Sequence, residues 1–220
     1  MRNTAPARSR CHVDCRSINY PQMSDLIRAL QTVAERFHPS GAPTPEQTAR
    51  IAEALREITS DVAPDSLYAA AEHFRDRPDI AVTILEDVVR AQPNNSRALV
   101  RLANCYWLLG AGPQPVGELA SRAIAVDPGD RAAWHLWALA EEQPRQRVAR
   151  WQQVATRFPQ DDLALANVAD NAASVAGAER DYEMVDVAIG AYEALRSRAR
   201  RDDERAAVDQ ALKTLRAWRF

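Results

Sequence analysis

Four residues with recognition chemistry, Arg97, Arg101, Asn104 and Trp107, follow one another at steps of four, three and three. On an α-helix turning about 100° per residue, with Arg97 set at zero, Arg101 falls at about 40°, Asn104 at about 340° and Trp107 at about 280°. Two guanidinium groups and an amide on one side of a helix suit a carboxylate, because a guanidinium presents a planar fork of donors that matches two carboxylate oxygens. A neighbouring indole adds an apolar plate whose face also accepts a cation. The chemistry these residues imply is the holding of a carboxylate-bearing peptide.

Catalytic chemistry has less to build on. The four histidines are His12, His38, His73 and His135, and none stands at a recognisable spacing from a Cys, Ser or carboxylate. There is no His-Glu-x-x-His, no Gly-x-Ser-x-Gly, no phosphate loop and no dinucleotide fingerprint. With seven glycines in the chain, a backbone cradle for phosphate has few positions to use. The stretch "CHVDC" at 11–15 is half a zinc site without a second ligand pair. The expectation is a protein with no reaction, metal or cofactor of its own. Cys105, inside a helical stretch, reads as a small packing residue, and three cysteines are too few for a disulfide framework.

Composition sets the bounds on partners. Of 220 residues, 46% are hydrophobic and 26% charged, ordinary globular usage. The net charge of −2 supplies no general basic field to recruit nucleic acid, which is therefore not the expected partner. Every basic residue except Lys213 is an arginine. The densest cluster, Arg196, Arg198, Arg200 and Arg201, ends one helix and is met at once by Asp202, Asp203 and Glu204, so it largely neutralises itself. No apolar run approaches the ~20 residues of a membrane span and no secretory signal is seen, so a cytoplasmic protein without membrane contact is expected.

The elements that would position these residues are helices throughout, since no segment alternates with period two over a strand's length. Residues 1–22 lack a period and carry four arginines against one acid, reading as a disordered tail or an over-long gene start. An organelle transit peptide is a further reading of that leader, opposed by Pro6 and the missing apolar face. Met23 is the expected working start, with Ser24 as N-cap and Leu26, Ile27, Leu30, Val33, Ala34 and Phe37 on one face. Thr44, Pro45 and Gln47 spell a capping box for a helix to Thr59. Later helices are expected near 65–75, 79–91, 130–141, 145–157, 161–176, 179–198 and 202–218, around a helical pair within 97–128.

These helices recur. Pro93, Pro128 and Pro159 each end a helix and are followed two residues later by Asn95, Asp130 or Asp161, which cap the next. Superposed on the prolines, Leu99, Leu102, Ala103 and Tyr106 match Leu67, Ala70, Ala71 and Phe74, then Trp134, Trp137, Ala138 and Glu141, then Leu165, Val168, Ala169 and Ala172. The third place is alanine in all four, as a close helix crossing requires. Trp134, Trp137 and Trp151 are assigned to the core.

A large apolar residue, an apolar residue, alanine and an aromatic on a first helix, Gly110 at the turn, then Ala123 and Pro128 closing a second helix, resembles the tetratricopeptide repeat. That resemblance implies an all-α protein, a right-handed α-solenoid of antiparallel helix pairs. Its expected divisions are an N-terminal helical pair at 23–62, a repeat array at 63–198 and a capping helix at 199–220 with Val208, Ala211, Leu212 and Leu215 turned inward. It also implies a concave groove lined by the exposed side of the first helices. The groove residues are then Arg97, Val100, Arg101, Asn104, Trp107 and Leu108, with Tyr68 and Glu72 before them and His135, Leu139, Ala166 and Asp170 after, His135 approaching the arginines. Function follows as a scaffold that binds a protein or peptide, its oligomeric state open. Ala69 and Leu136 stand where the chaperone-tail clamp of some family members needs basic or amide residues, so that ligand is not carried over. The three core tryptophans also resemble the half-repeats of RNA-processing scaffolds, the alternative reading.

Overall fold

The structure, a computed structural model, describes residues 20–36 and 44–220. The 11–15 stretch, Phe37 and His38 lie outside the described residues. Among the described residues every regular element is helical. Helices α1 (Tyr20–Arg36) and α2 (Pro45–Thr59) form the first pair, and α3 (Pro64–Ala71) runs through a 3-10 turn, Glu72–Phe74, before pairing with α4 (Pro78–Ala91). Three further antiparallel pairs follow: α5 (Ser96–Leu108) with α6 (Pro113–Val126), α7 (Arg131–Leu139) with α8 (Pro144–Arg157), and α9 (Asp162–Glu179) with α10 (Tyr182–Arg198). The last helix, α11 (Asp202–Ala217), packs on α10.

Local chemistry explains most of the starts. Oδ1 of Asn95 accepts the Ala98 N–H at 3.1 Å, Asp130 Oδ1 that of Ala132 at 2.9 Å, and Asp161 Oδ1 that of Leu163 at 3.1 Å. Each satisfies an orphan donor of a helix start. Second helices α4, α6 and α8 open instead on Pro78, Pro113 and Pro144, where the missing N–H is no loss. The capping box at α2 is present, with the Thr44 N–H donating to Gln47 Oε1 at 2.8 Å. One expected start is corrected: α1 begins at Tyr20, so Ser24 lies inside the helix and is not its cap. Pro21 falls in the first turn, where a proline is tolerated.

The turns are decided by backbone geometry. Gly110 takes φ 68° and Gly112 φ 94° between α5 and α6, the left-handed region that glycine enters without a Cβ penalty. Gly110 N–H donates to the Trp107 carbonyl at 3.2 Å and Ala111 N–H to that of Tyr106 at 3.0 Å, the paired bonds of a Schellman stop. At the end of α9 the same left-handed position is held by Arg180, φ 55°, and the helix runs three residues past its expected end. In the first repeat the expected helix over 65–75 tightens into the 3-10 turn before Pro78, a common helix ending.

Packing builds one continuous stack. From the second pair onward each second helix meets the next first helix, α4 on α5, α6 on α7 and α8 on α9, while α1 lies against α3 and α2 against α4. The four alanines at the crossings, Ala71, Ala103, Ala138 and Ala169, are completely buried. Trp151 is 1% exposed, a core residue as its period indicates. Trp134 and Trp137 are only half-buried and meet edge to face at 5.5 Å, with the Arg150 guanidinium 4.4 Å over the Trp137 ring. Arg150 Nη2 also pairs with Glu141 at 2.7 Å, so an ion pair occupies the place where Tyr106 in the preceding unit bonds Glu86 at 3.0 Å.

A further recurrence joins the ends of the two middle units. Arg122 Nη2 donates to the Pro93 carbonyl at 3.1 Å and Arg157 Nη2 to the Pro128 carbonyl at 3.4 Å, both spanning 29 residues. At the C-terminal end Leu212 and Leu215 are buried and Val208 and Ala211 half-buried, as a capping helix requires. Trp218 reaches back to Gly177, where an added Cβ would lie 3.3 Å from the indole. No helix among the described residues is long and apolar enough to cross a membrane.

Ala103→Leu is expected to overpack the crossing and cost about 1–3 kcal/mol in urea denaturation, whereas Ala111→Leu in the exposed turn costs little. Equal shifts of the two midpoints would show that the crossing lies elsewhere.

Candidate peptide-binding face

Helix α5 carries the predicted recognition residues in a line. Arg97, Arg101, Asn104 and Leu108 share one side of it, and Trp107 borders them. Arg97 and Asn104 are exposed and make no hydrogen bond or ion pair with any described residue. At the far end Trp107 and Leu108 are 42% and 59% exposed, together with Leu109 at 45%. Val100 is half-buried and packs on the main core cluster, so it supports the face more than it forms it.

The preceding unit supplies the facing polar groups. Arg101 is ion-paired with Glu72 and donates through Nη2 to the Ala71 carbonyl at 3.3 Å. The other Glu72 oxygen takes Arg75, whose Nε lies at 3.0 Å. Partial burial raises the Glu72 carboxyl, but the Arg75 hydrogen bond and the charges of Arg101 and Arg75 outweigh it and hold the group below its ordinary value. Tyr68 sits one turn before Glu72. Burial first, then the Glu72 charge, push its phenol up, against the opposing pull of Arg101, Arg97 and Arg75. Tyr68, Glu72 and Arg101 therefore lie close together, with Arg97 near enough to act on the Tyr68 phenol and Arg101 already holding a carboxylate of the chain itself.

The later residues are committed elsewhere. His135 Nε2 lies 2.5 Å from Asp161 Oδ2 and its ring meets Trp151 edge-on at 5.3 Å. Its contacts run toward α9, not toward the arginines it was expected to approach. Asp161 is 4% exposed and does two jobs: Oδ1 caps α9 while Oδ2 receives His135, with Arg131 Nε 3.8 Å away. Leu139 is half-buried against the core cluster around Trp151. Asp170 is exposed but accepts the Tyr192 hydroxyl at 2.5 Å. Burial, then that bond and the Asp170 charge, push the Tyr192 phenol far above its ordinary value.

Arg75 and Asp161 were not singled out as partners of this face by the sequence. The Glu72-to-Arg75 spacing of three was visible as a helical pair, but Arg101 reaching 29 residues back was not. Among the described residues no group of three or more His, Cys, Asp or Glu could hold a metal ion.

Two outcomes follow. Asp161→Ala removes a cap and the His135 partner and is expected to cost about 1–3 kcal/mol, most of it regained by Asp161→Asn, which keeps an acceptor. Because the folded Glu72 carboxyl titrates below 4.5, its stabilisation is complete above that value and lost as pH falls through the folded one. The stability gap between wild type and Glu72→Gln, followed by thermal melts from about pH 7 to about pH 3, should therefore narrow in acid. A gap independent of pH would show that Glu72 gains nothing from its arginines.

The chain matches no protein-family model, and no curated protein matches it. Solved structures do. It is similar to "MamA RS-1 ArsTM double mutant" at 16% identity, covering 81% of this chain and 99% of that one with a TM-score of 0.54. YrrB, described as a TPR protein with an unusual peptide-binding site, is 18% identical over 87% of this chain and 90% of its own, TM-score 0.54. TTC0263, a thermophilic TPR protein of Thermus thermophilus, is 13% identical over 87% and 99%, TM-score 0.54. The stacked antiparallel pairs, the buried alanines and these likenesses agree: the chain folds as a right-handed α-solenoid of the tetratricopeptide-repeat kind.

Proposed function

We propose that the protein is a non-catalytic adaptor that binds an extended, carboxylate-bearing peptide on the face of its first helices, centred on α5. The observation that carries the reading is Arg97: an exposed guanidinium without a partner among the described residues, on the same helix side as the unbonded Asn104 and the exposed Leu108, beside Trp107. A guanidinium without a carboxylate is an open half of a charge-assisted pair. An exposed indole and leucine beside it offer the apolar anchor typical of binding hot spots.

The fold supports a scaffold role, and the description of YrrB as having a peptide-binding site is in keeping with a peptide as the ligand. The signs of charge along the first helices favour peptide over RNA. Arg97 and Arg101 lie between Glu72 and Asp170, so a phosphate backbone running across the units would meet acids as well as arginines.

The test is Arg97→Glu, a change at an exposed residue with no internal bond to break. Partner recovery from the native lysate is expected to fall at least about tenfold, and wild-type recovery to weaken with added salt, while the melting temperature holds. Arg101 is the poorer choice, since its loss also strands Glu72. Undiminished recovery with Arg97→Glu would place the binding surface away from α5.

A further inference from the structure

Successive first helices run in the same sense, because the second helix between them reverses the chain. The end of α3 and its 3-10 turn therefore run in the same sense as α5. Glu72 meets Arg101, and Tyr68, one turn earlier, is near enough to feel the Arg97 charge. Two guanidinium groups one turn apart thus stand in different states. Arg101 is 21% exposed, with Nη1 donating to Glu72 and Nη2 to the Ala71 carbonyl. Arg97 is open.

We infer that Glu72 is an internal stand-in for a ligand carboxylate at Arg101, so that this face takes a peptide with a single acid at Arg97 and a bulky apolar residue about five positions away, and gains nothing from a second, adjacent acid. The inference rests on the peptide-binding reading above and names what that site selects.

The selection is electrostatic. An acid entering at Arg101 would meet the like charge of Glu72 and would have to displace it. Glu72 would then keep Arg75 alone while remaining partly buried, and separating a half-buried ion pair leaves an under-compensated charge. At Arg97 no such competitor exists, and the Tyr68 phenol of the preceding unit, near enough to feel its charge, is a neutral group able to share a carboxylate's hydrogen bonds.

The spacing is geometric. From Arg97 to Leu108 is eleven residues along a helix rising 1.5 Å each, about 16 Å, which an extended peptide at ~3.3 Å per residue spans in about five. The apolar end is marked by Trp107 and Leu108, which with Leu109 form a run of three exposed large apolar side chains at the end of α5.

Fluorescence anisotropy with three labelled, end-blocked peptides of equal length tests this on the full chain. The first carries one glutamate and one leucine five positions apart. The second has the leucine moved next to the glutamate, and the third has a second glutamate beside the first. Wild type is expected to bind the first about tenfold tighter than the second, and the third no better than the first. Glu72→Gln should bind the third about tenfold tighter than wild type does, and the added substitution Arg101→Gln should remove that gain. Glu72→Asp, too short to reach Arg101, is the second variant should the glutamine prove unstable in thermal melts. Equal binding of the third peptide by wild type and both Glu72 variants, a gain that survives loss of Arg101, or no preference for the five-residue spacing overturns the inference while the peptide-binding reading stands. No binding of any peptide by any of these proteins overturns both.

Discussion

The close approach of helices at Ala71, Ala103, Ala138 and Ala169 is the contact on which the stack depends. Each alanine lets a first helix lie against its own second helix and the preceding unit. Only at that distance do the flanking large residues, such as Leu67, Leu99 and Trp151, lose their contact with water. A single helix pair could not bury its apolar face, so stability belongs to the array. The crossing also sets the distance between successive first helices, and hence whether a side chain such as Arg101 can span from one to the next.

Given that spacing, the arginines divide by what they can reach. Arg122 and Arg157 close their own units onto proline carbonyls, Arg150 covers Trp137 and pairs with Glu141, and Arg145 bridges Glu179 and Asp181. A guanidinium suits all of these because its fork serves two acceptors at once while its flat face stacks on a ring. In a chain whose basic residues are nearly all arginine, the guanidinium groups that stay open are those that find nothing inside the protein to hold. Around α5 that residue is Arg97, and its neighbour Arg101 shows what satisfaction looks like.

The last units depart from the middle of the array. Helices α9 and α10 are longer than α3 to α8, Arg180 takes a left-handed conformation that glycine would enter at less cost, and α11 packs on α10. Trp218 then folds back onto Gly177, where an added Cβ would lie 3.3 Å from the indole, tighter than ordinary van der Waals contact. At the other end α1 and α2 stack on α3 and α4 and extend the same layers.

Helix number, the small crossing residue, the Asn95, Asp130 and Asp161 caps and the core place of Trp151 were legible in the sequence, because each rests on interactions within a turn or on a period of 3.6 or about 34 residues. So was the stripe of Arg97, Arg101, Asn104 and Trp107 on one side of α5. The start of α1 was misplaced because a serine of a type that caps helices lies four residues inside the helix that begins at Tyr20. What the tertiary structure alone decided is which of those groups are free. Glu72 meets Arg101 across 29 residues and His135 meets Asp161 across 26, distances over which no local pattern in the chain specifies a partner. A helical period says which way a side chain leaves its helix, but only the packing of one helix against the next says what is waiting there.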